Sequence, residues 1–336
     1  MFKKYNSIEN TYREEYLSRI RGHDLWYKTY IVQEKAHGSN LSFWTTDGVD
    51  FTTAKRSESL KKDDKFYNHQ LLLERHLKQF QSIWTALKSI HQDLNQLTIY
   101  GEVIGGNYPH QEVPKAKNAM KVQKGIFYCP GNEFFAFDIL INAEKYLDVN
   151  EANELFEANG LFYAKTLHEG NIESCLAYPN EFDSTIPAQL GLPALSPNIC
   201  EGVVIRPKVA ARFNNGQRVI LKNKNSKWSE KIIREKKIRI SEPLSEPTKE
   251  MIVAIQDYMT ENRLNNVISK FGEPEKKDFG KLLGLLNKDA FEDFIKDHKE
   301  SYELLEKKEQ KVVTKSMAKP GSALINTYFD SLFMNA

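Results

Sequence analysis

A lysine in the segment Glu34–Asn40 is the first residue placed for covalent chemistry. Lys35 follows the apolar run Tyr30–Val32, which predicts a short strand, and it precedes a turn that contains Gly38. To act as a nucleophile a lysine must be neutral, whereas an ordinary lysine, with a pKa of about 10.4, is protonated at pH 7. Nearby cations or burial favour the neutral amine. If Lys35 is a nucleophile, further basic residues are expected around it; alone, the same residue indicates an exposed turn lysine.

Basic residues recur at two later points in the chain. Lys55 and Arg56 end a second predicted strand, and Lys222 and Lys224 lie two residues apart in the run Arg218–Lys224. Because side chains alternate along a strand, Lys222 and Lys224 are expected on one face. Such cations lower the pKa of a neighbouring lysine and bind phosphate groups. The basic residues therefore favour a phosphate-bearing substrate.

Three acidic residues and one aromatic residue complete a set suited to nucleotide chemistry. Glu102 follows a glycine in a predicted strand, and a carboxylate there can accept hydrogen bonds from ribose hydroxyls. Phe137 offers a flat apolar surface for a purine, although such an aromatic more often belongs to the core, and Asp138 follows it. Glu201 provides the hard oxygen atoms that a divalent cation prefers.

Hydrophobic periodicity predicts the elements that must carry these residues. Strands are predicted at 30–32, 41–44, 97–103, 134–140, 201–207 and 218–224, with a hairpin turn at Asp47–Gly48. A helix is predicted from apolar residues three or four apart: Leu73, Leu77, Phe80, Trp84 and Leu87. Residues 150–165 are also predicted to be helical. Two irregular stretches, 105–132 and 180–199, interrupt this pattern, and irregular stretches of such length inside a domain are commonly functional.

The chain changes character at Ser241–Pro247, a proline-containing stretch typical of a domain boundary. Beyond it, helices are predicted at 251–259, 263–271, 279–286 and 290–305, without strand alternation. We therefore expect residues 1–240 to form one domain, 241–247 a linker and 248–336 a small all-α domain. The basic run 222–239 before the boundary predicts either a solvated face or a track for a polyanion.

Bulk composition excludes several classes of protein. The formal net charge of +2 means that any polyanion site is a local patch, and three widely separated cysteines argue against a disulfide framework and a structural zinc site. No apolar run approaches membrane-spanning length and the first residues lack a signal peptide pattern, so a soluble, cytoplasmic or otherwise intracellular protein is expected. Neither a P-loop nor a Rossmann glycine fingerprint occurs.

Taken in chain order, these pieces resemble the motifs of the covalent nucleotidyltransferase superfamily, which contains polynucleotide ligases and capping enzymes. A closer resemblance is to the phage-type RNA ligase 2 family, and the segments that carry it are Met1–Tyr5, Lys35–Asn40, Lys222–Lys227, Asn262–Lys270 and Phe279–Asp289. The stretch 105–132 is longer than in the phage pattern and resembles an insertion in RNA-editing ligases. Arg206 stands where the phage enzyme has a lysine.

The resemblance implies an ATP-dependent RNA ligase that joins 3′-OH and 5′-phosphate ends, preferentially at nicks in duplex RNA. It implies lysyl-adenylate and RNA-adenylate intermediates, in RNA repair or editing, with Mg²⁺ or Mn²⁺ as cofactor. The implied fold is α+β, with antiparallel sheets and flanking helices followed by a helical C-terminal domain that engages the nick. The protein is expected to be a monomer that does not associate with a membrane.

The resemblance also assigns roles to individual residues. Lys35 is the implied nucleophile and Glu201 the implied metal ligand. ATP or AMP binding is implied for Glu34, His37, Asn40, Lys55, Arg56, Glu102, Phe137, Asp138, Lys222 and Lys224. RNA binding is implied for Ser39, Phe66, Tyr67, Lys227, Arg263 and Asp289.

Two other functions remain open at this point. A DNA ligase or a guanylyltransferase resembles this chain in the nucleophilic lysine, but both normally carry Asp at the position of His37 and an oligonucleotide-binding β-barrel after the last motif. A non-catalytic RNA-binding protein on a ligase scaffold would be expected to have lost Lys35, Glu201 or Lys222. Individual roles are open too. Phe66 and Tyr67 also fit a cap on the following helix, and Arg263 and Asp289 fit a structural ion pair.

Overall fold

The computed structural model describes residues 2–228 and 244–333, and the chain divides into two compact units, Met1–Lys227 and Trp228–Ala336. The predicted boundary at residue 240 and the basic residues 229–239 lie outside the described residues. The predicted linker 241–247 is partly helical, because the first helix of the second unit begins at Glu246.

The first unit contains two five-stranded sheets among its described residues. The first sheet has the order β1-β10-β9-β2-β8 and consists of β1 (Glu9–Asn10), β2 (Tyr30–Glu34), β8 (Thr166–Gly170), β9 (Gly202–Pro207) and β10 (Leu221–Lys224). Its pairs are antiparallel except for β1 with β10, which is parallel. The sheet thus pairs the strand before Lys35 with the strand after Glu201.

The second sheet has the order β4-β3-β5-β6-β7 and is antiparallel throughout. Its strands are β3 (Ser39–Thr45), β4 (Thr52–Lys55), β5 (Leu97–Gly105), β6 (Asn132–Ile141) and β7 (Lys145–Tyr146). The predicted hairpin is confirmed. Strands β3 and β4 are antiparallel neighbours, Trp44 lies opposite Thr52, and the Asp47–Gly48 turn connects them. A shift of register between β5 and β6 leaves Phe137 as the extra residue of a β-bulge, since Tyr100 pairs with Asp138 and Gly101 with Ala136.

Helices cover the outer face of each sheet. Those of the first unit are α1 (Glu14–Arg21), α2 (His69–Ile90), α3 (Val149–Ala158), α4 (Ile172–Leu176) and α5 (Ile186–Gln189). Phe80 of α2 is completely buried against Phe43 and Phe134 of the second sheet, as its helical spacing predicts. Helix α3 ends earlier than the predicted residue 165, because Gly160 has a φ of +63° and turns the chain out of the helix.

Residues 244–333 of the second unit are helical apart from the connections between helices, which agrees with the expected all-α domain. Its helices are α6 (Glu246–Gln256), α7 (Glu261–Phe271), α8 (Phe279–Glu303), α9 (Lys307–Lys315) and α10 (Ala318–Phe333). The two helices predicted at 279–286 and 290–305 are one helix, α8, with non-helical backbone angles only at His298. Apolar residues of this unit form one core, with Leu286 and Phe294 completely buried. None of the described helices is long and apolar enough to cross a membrane.

Candidate active site

Lys35 is paired with a carboxylate that the neighbouring strand supplies. Its Nζ lies 2.7 Å from Oε2 of Glu201, and Nζ of Lys224 lies 2.7 Å from the other oxygen, Oε1. The register of the first sheet explains the meeting: Glu34 pairs with Val203, and Lys224 pairs with Gly202. The ends of β2 and β10 therefore converge on the start of β9, where the predicted nucleophile, metal ligand and phosphate-binding lysine meet.

The charges of this cluster compensate one another inside the protein. Glu201 is 1% exposed, against 16% for the Lys35 side chain and 11% for Lys224. Burial alone raises the pKa of a carboxyl group, but Lys224 and Lys35, followed by His37, hold the pKa of Glu201 well below its usual range. Glu201 is thus an ionised carboxylate between two ammonium groups.

Glu102 adds a second carboxylate from the other sheet. Its Oε2 accepts a hydrogen bond of 2.7 Å from the backbone N–H of Gly38, in the turn that follows Lys35. Burial raises the pKa of Glu102 to about 7; Lys35 opposes this shift, and the negative charge of Glu201 adds to it. The predicted ribose ligand therefore titrates near neutral pH.

His37 and Asn40 also lie around this turn. His37 Nδ1 is 3.3 Å from Oε2 of Glu201, and its backbone N–H donates to the hydroxyl of Tyr128 at 2.7 Å. Asn40 pairs across the sheet with Glu102, which places the two side chains on one face. The structure thus brings both predicted nucleotide ligands to the neighbourhood of Lys35 and Glu102.

Phe137 is partly buried, at the β-bulge of β6, with its ring 4.9 Å from that of Tyr5. Its carbonyl oxygen accepts a hydrogen bond of 2.8 Å from Arg206 of the first sheet. Val204, from the same strand as Arg206, and Phe137 are both partly buried and pack against the same apolar cluster, which includes Tyr5. The aromatic face predicted to stack on adenine therefore lies where side chains of both sheets meet.

Asp138 points into the protein and not toward a ligand surface. It is 1% exposed and forms ion pairs with Arg206, at 2.8 Å, and with Arg218, while the Tyr5 hydroxyl donates to it at 2.8 Å. Although burial opposes ionisation, Arg218 and Arg206 lower the pKa of Asp138. The position of Asp138 does not support the expected contact with the nucleotide and favours a structural role under Phe137.

Family models match both parts of the chain. Residues 28–224 match the model described as RNA ligase, and residues 242–321 match the model described as T4 RNA ligase 2 C-terminal. The first match alone covers more than half of the 336 residues. The chain belongs to the RNA ligase family. Its order of domains is that of the T4 RNA ligase 2 type, which confirms the resemblance drawn from the motifs.

Two RNA-editing ligases are similar to this chain over most of its length. RNA-editing ligase 2, mitochondrial, of Trypanosoma brucei brucei is 27% identical over 352 residues, which are 88% of this chain and 84% of the relative. RNA-editing ligase 1, mitochondrial, of the same organism is 27% identical over 333 residues, or 80% and 70% of the two chains.

Solved structures of a Naegleria gruberi RNA ligase resemble this chain more distantly. One matches with 16% identity and a TM-score of 0.46, and another, with ATP and Mn, with 14% identity and a TM-score of 0.43. In both cases the match covers 68% of this chain and 57% of the solved chain.

The oligonucleotide-binding β-barrel that a DNA ligase or a guanylyltransferase would carry after the last motif is not found in the described residues. Residues 244–333 form helices where an oligonucleotide-binding domain would form strands. This RNA ligase therefore differs from the DNA ligase and guanylyltransferase alternatives after its nucleotidyltransferase unit.

Four predicted nucleotide ligands are not part of the Lys35–Glu201–Lys224 cluster. Glu34 is buried beside Lys35, but its carboxylate accepts hydrogen bonds from Ser184 and from the backbone N–H of Thr185, at 2.8 Å. The expected contact of the Glu34 side chain with ATP is therefore not supported by its position. Lys55 is paired with Glu58 at the end of β4. Arg56 follows Lys55 at this end of the second sheet, and Lys222 lies partly buried on β10, two residues before Lys224.

The predicted RNA ligands of the first unit are mostly internal. Ser39, Phe66 and Tyr67 are 2–4% exposed, and both aromatic side chains belong to the core between α2 and the second sheet. Their positions do not support the expected direct contact with RNA. The N-cap residue of α2 is Asn68, so the alternative role of Phe66 and Tyr67 as a cap on this helix is not supported either. Lys227 donates to the carbonyl oxygen of Gly125 at 3.0 Å.

Arg263 and Asp289 form the structural ion pair that the sequence left open. Arg263 is 1% exposed and binds Asp289 and, at 3.0 Å, Asp293, so it joins α7 to α8. Lys270 lies 3.2 Å from the other oxygen of Asp289. Burial of the guanidinium does not support the expected direct contact of Arg263 with RNA.

Several residues that hold the site are absent from the sequence prediction. Tyr128 and Gln123, in the irregular stretch 105–132, contact the turn after Lys35, and Arg218 joins the ion pairs of Asp138. The length of the irregular stretch marked it as functional. No spacing within it distinguishes Tyr128 from its neighbours, because the contact spans 91 residues of sequence.

Proposed function

We propose that this protein is an ATP-dependent RNA ligase that joins 3′-OH and 5′-phosphate ends at nicks in duplex RNA. The observation that carries the proposal is the Lys35–Glu201–Lys224 cluster, in which two partly exposed lysines share the buried Glu201, with Glu102 beside it, inside the unit that matches the RNA ligase family. A merely solvated turn lysine would have no reason to share a buried carboxylate with a second lysine.

Lys35 is the proposed nucleophile of the first step. Its Nζ attacks the α-phosphorus of ATP, a nitrogen–phosphorus bond forms, the bond to the β-phosphate oxygen breaks, and pyrophosphate leaves. In the ligand-free cluster Lys35 is ion-paired with Glu201, so attack requires that this contact breaks and that the ammonium group loses a proton. Lys224 and Lys222 would bind phosphate oxygens, and Glu102 and Phe137 would hold ribose and adenine.

Two further steps complete the proposed reaction. The 5′-phosphate of an RNA end attacks the lysyl-adenylate and releases Lys35, which gives an RNA-adenylate. A 3′-hydroxyl then attacks the activated phosphate, the two ends are joined, and AMP leaves. The match to the RNA ligase family supports this order of reaction steps. The preference for nicks in RNA and the monomeric state are also part of the proposal.

A divalent cation fits the donors of the site. Glu201 and Glu102 are neighbouring carboxylates, and cations such as Mg²⁺ or Mn²⁺ are commonly held by one or two carboxylates together with substrate phosphates. Among residues 2–228 and 244–333 no group of three or more metal-ligating side chains is found. When bound, the cation would neutralise phosphate charge.

A sealing assay on matched nicks tests this function. Wild-type protein with ATP and magnesium is expected to seal an RNA nick faster than the same nick in DNA, and Lys35→Ala is expected to abolish sealing with ATP. Equal sealing of DNA nicks would contradict the RNA preference. Sealing by Lys35→Ala at the wild-type rate would contradict the assigned nucleophile.

A further inference from the structure

The irregular stretch 105–132 contacts the nucleophile turn, Lys35–Gly38, at two points. The hydroxyl of Tyr128 accepts a hydrogen bond of 2.7 Å from the backbone N–H of His37, and the side-chain amide of Gln123 donates to the carbonyl oxygen of Gly38 at 3.2 Å. Neither contact involves the charged groups of the site. Both act on backbone atoms, so they fix the path of the turn itself.

Tyr128 is enclosed where it makes this contact. Its side chain is 2% exposed, and burial raises the pKa of Tyr128 well above its usual range, so the hydroxyl is neutral. A buried N–H without a partner is costly, and Tyr128 satisfies that of His37. Gln123 is 9% exposed, and its side-chain amide binds the carbonyl oxygen of the Gly38–Ser39 peptide.

The stretch is itself held by its neighbours on the side away from the turn. The side chain of Asn198 accepts from the backbone N–H of Phe127 at 2.9 Å and donates to its carbonyl oxygen at 2.7 Å. These two bonds join the irregular stretches 105–132 and 180–199 directly beside Tyr128, and Glu34 is bound by the second stretch through Ser184.

We propose that Tyr128 and Gln123 are positioning residues, which hold the turn so that the Lys35 amine meets the α-phosphate in line for attack. The proposal rests on the proposed function, since it assigns a role within the adenylation step. The structure gives it a physical basis: His37 and Gly38, two and three residues after Lys35, have their backbone atoms bound by these two side chains and by Glu102. Rates of covalent catalysis depend steeply on such placement.

The test variant is Tyr128→Phe, which removes only the hydroxyl, and the matched control is Tyr108→Phe, from the same stretch but bonded away from the turn. At saturating labelled ATP, Tyr128→Phe is expected to slow formation of the lysyl-adenylate by about ten- to a hundredfold, with the KM for ATP nearly unchanged. Tyr108→Phe is expected to adenylate at the wild-type rate. Gln123→Met, which removes the amide donor, should slow the same step.

A second measurement separates positioning from a general structural role. Sealing of a nick whose 5′ end is already adenylated does not use the Lys35 amine, so Tyr128→Phe should perform it at the wild-type rate. Equal losses in both assays, or adenylation by Tyr128→Phe at the wild-type rate, would overturn the positioning role. A wild-type protein that takes up no label would instead overturn the proposed function.

Discussion

Replacing Glu102 by Gln is expected to change how stability depends on pH. Folding raises the pKa of Glu102 from its ordinary 4.5 to about 7, so between these values the folded protein binds a proton that the unfolded chain has released. Stability from this group is therefore lost as pH rises from about 4.5 to 7. Since each tenfold change in acidity is worth about 1.4 kcal/mol, the full loss above pH 7 is about 3 kcal/mol.

Glu102→Gln removes the charge and keeps an oxygen that can accept from Gly38. Above pH 7 the variant is expected to be more stable than wild type by about 3 kcal/mol, and near pH 4.5 the two should be alike. In a unit of this size the difference corresponds to about 6–12 °C in melting temperature. Calorimetry of both ligand-free, metal-free proteins from pH 4.5 to 8.5 measures it. Parallel melting temperatures at all pH values would refute the reasoning.

Three further substitutions test other parts of the structure. In Gly38→Ala a new Cβ would lie 2.5 Å from a backbone carbonyl oxygen of β5, so the turn must shift, and adenylation should fall about a hundredfold in the labelled-ATP assay. Asp138→Asn leaves Arg206 and Arg218 buried without their counter-charge, and denaturant unfolding should show a loss of about 3–5 kcal/mol. Gly284→Ala, on an exposed face of α8 with nothing within 4 Å, should gain about 0.5–1 kcal/mol in the same measurement.

The first two of these changes have matched controls. A Cβ at Gly131 meets nothing closer than 3.7 Å, so Gly131→Ala should adenylate normally, and an equally active Gly38→Ala would contradict the close packing of the turn. Glu169 forms an exposed ion pair with Lys208, so Glu169→Gln should cost only about 0–1 kcal/mol. If Asp138→Asn lowered the free energy of unfolding by as little, this would contradict the role of Asp138 as a buried counter-ion of Arg206 and Arg218. A destabilised Gly284→Ala would contradict the open surroundings of that residue.

The sequence predicts elements whose pattern is local. Short apolar runs and alternation predict β2, β3, β5, β6 and β9, and helical spacing predicts α2, because the apolar residues that each element buries lie close together in the sequence. The break predicted within α8 was wrong. Asn287, Lys288 and Asp289 interrupt the apolar pattern, but polar residues do not end a helix whose buried face, at Leu286 and Ala290, continues past them.

Long-range contacts are what the sequence could not predict. Residue type and order along the chain predict roles for Lys35 and Glu201, but only the register of β2 with β9 shows that they touch. The family resemblance assigns Asp138 to the nucleotide pocket, whereas the structure places its side chain, next to the bulge at Phe137, against two arginines of other segments. Such pairings depend on tertiary packing, which spacing along the chain does not encode.

Locating the covalent nucleotide tests the central claim most directly. Wild-type protein is incubated with magnesium and ATP labelled on the α-phosphate, digested, and the labelled peptide is identified by mass spectrometry. We predict AMP on the side chain of Lys35 and on no other residue. Label on a different residue, or a wild-type protein that remains unlabelled after bound AMP has been removed, would contradict the assignment of the Lys35–Glu201–Lys224 cluster as the active site of an RNA ligase.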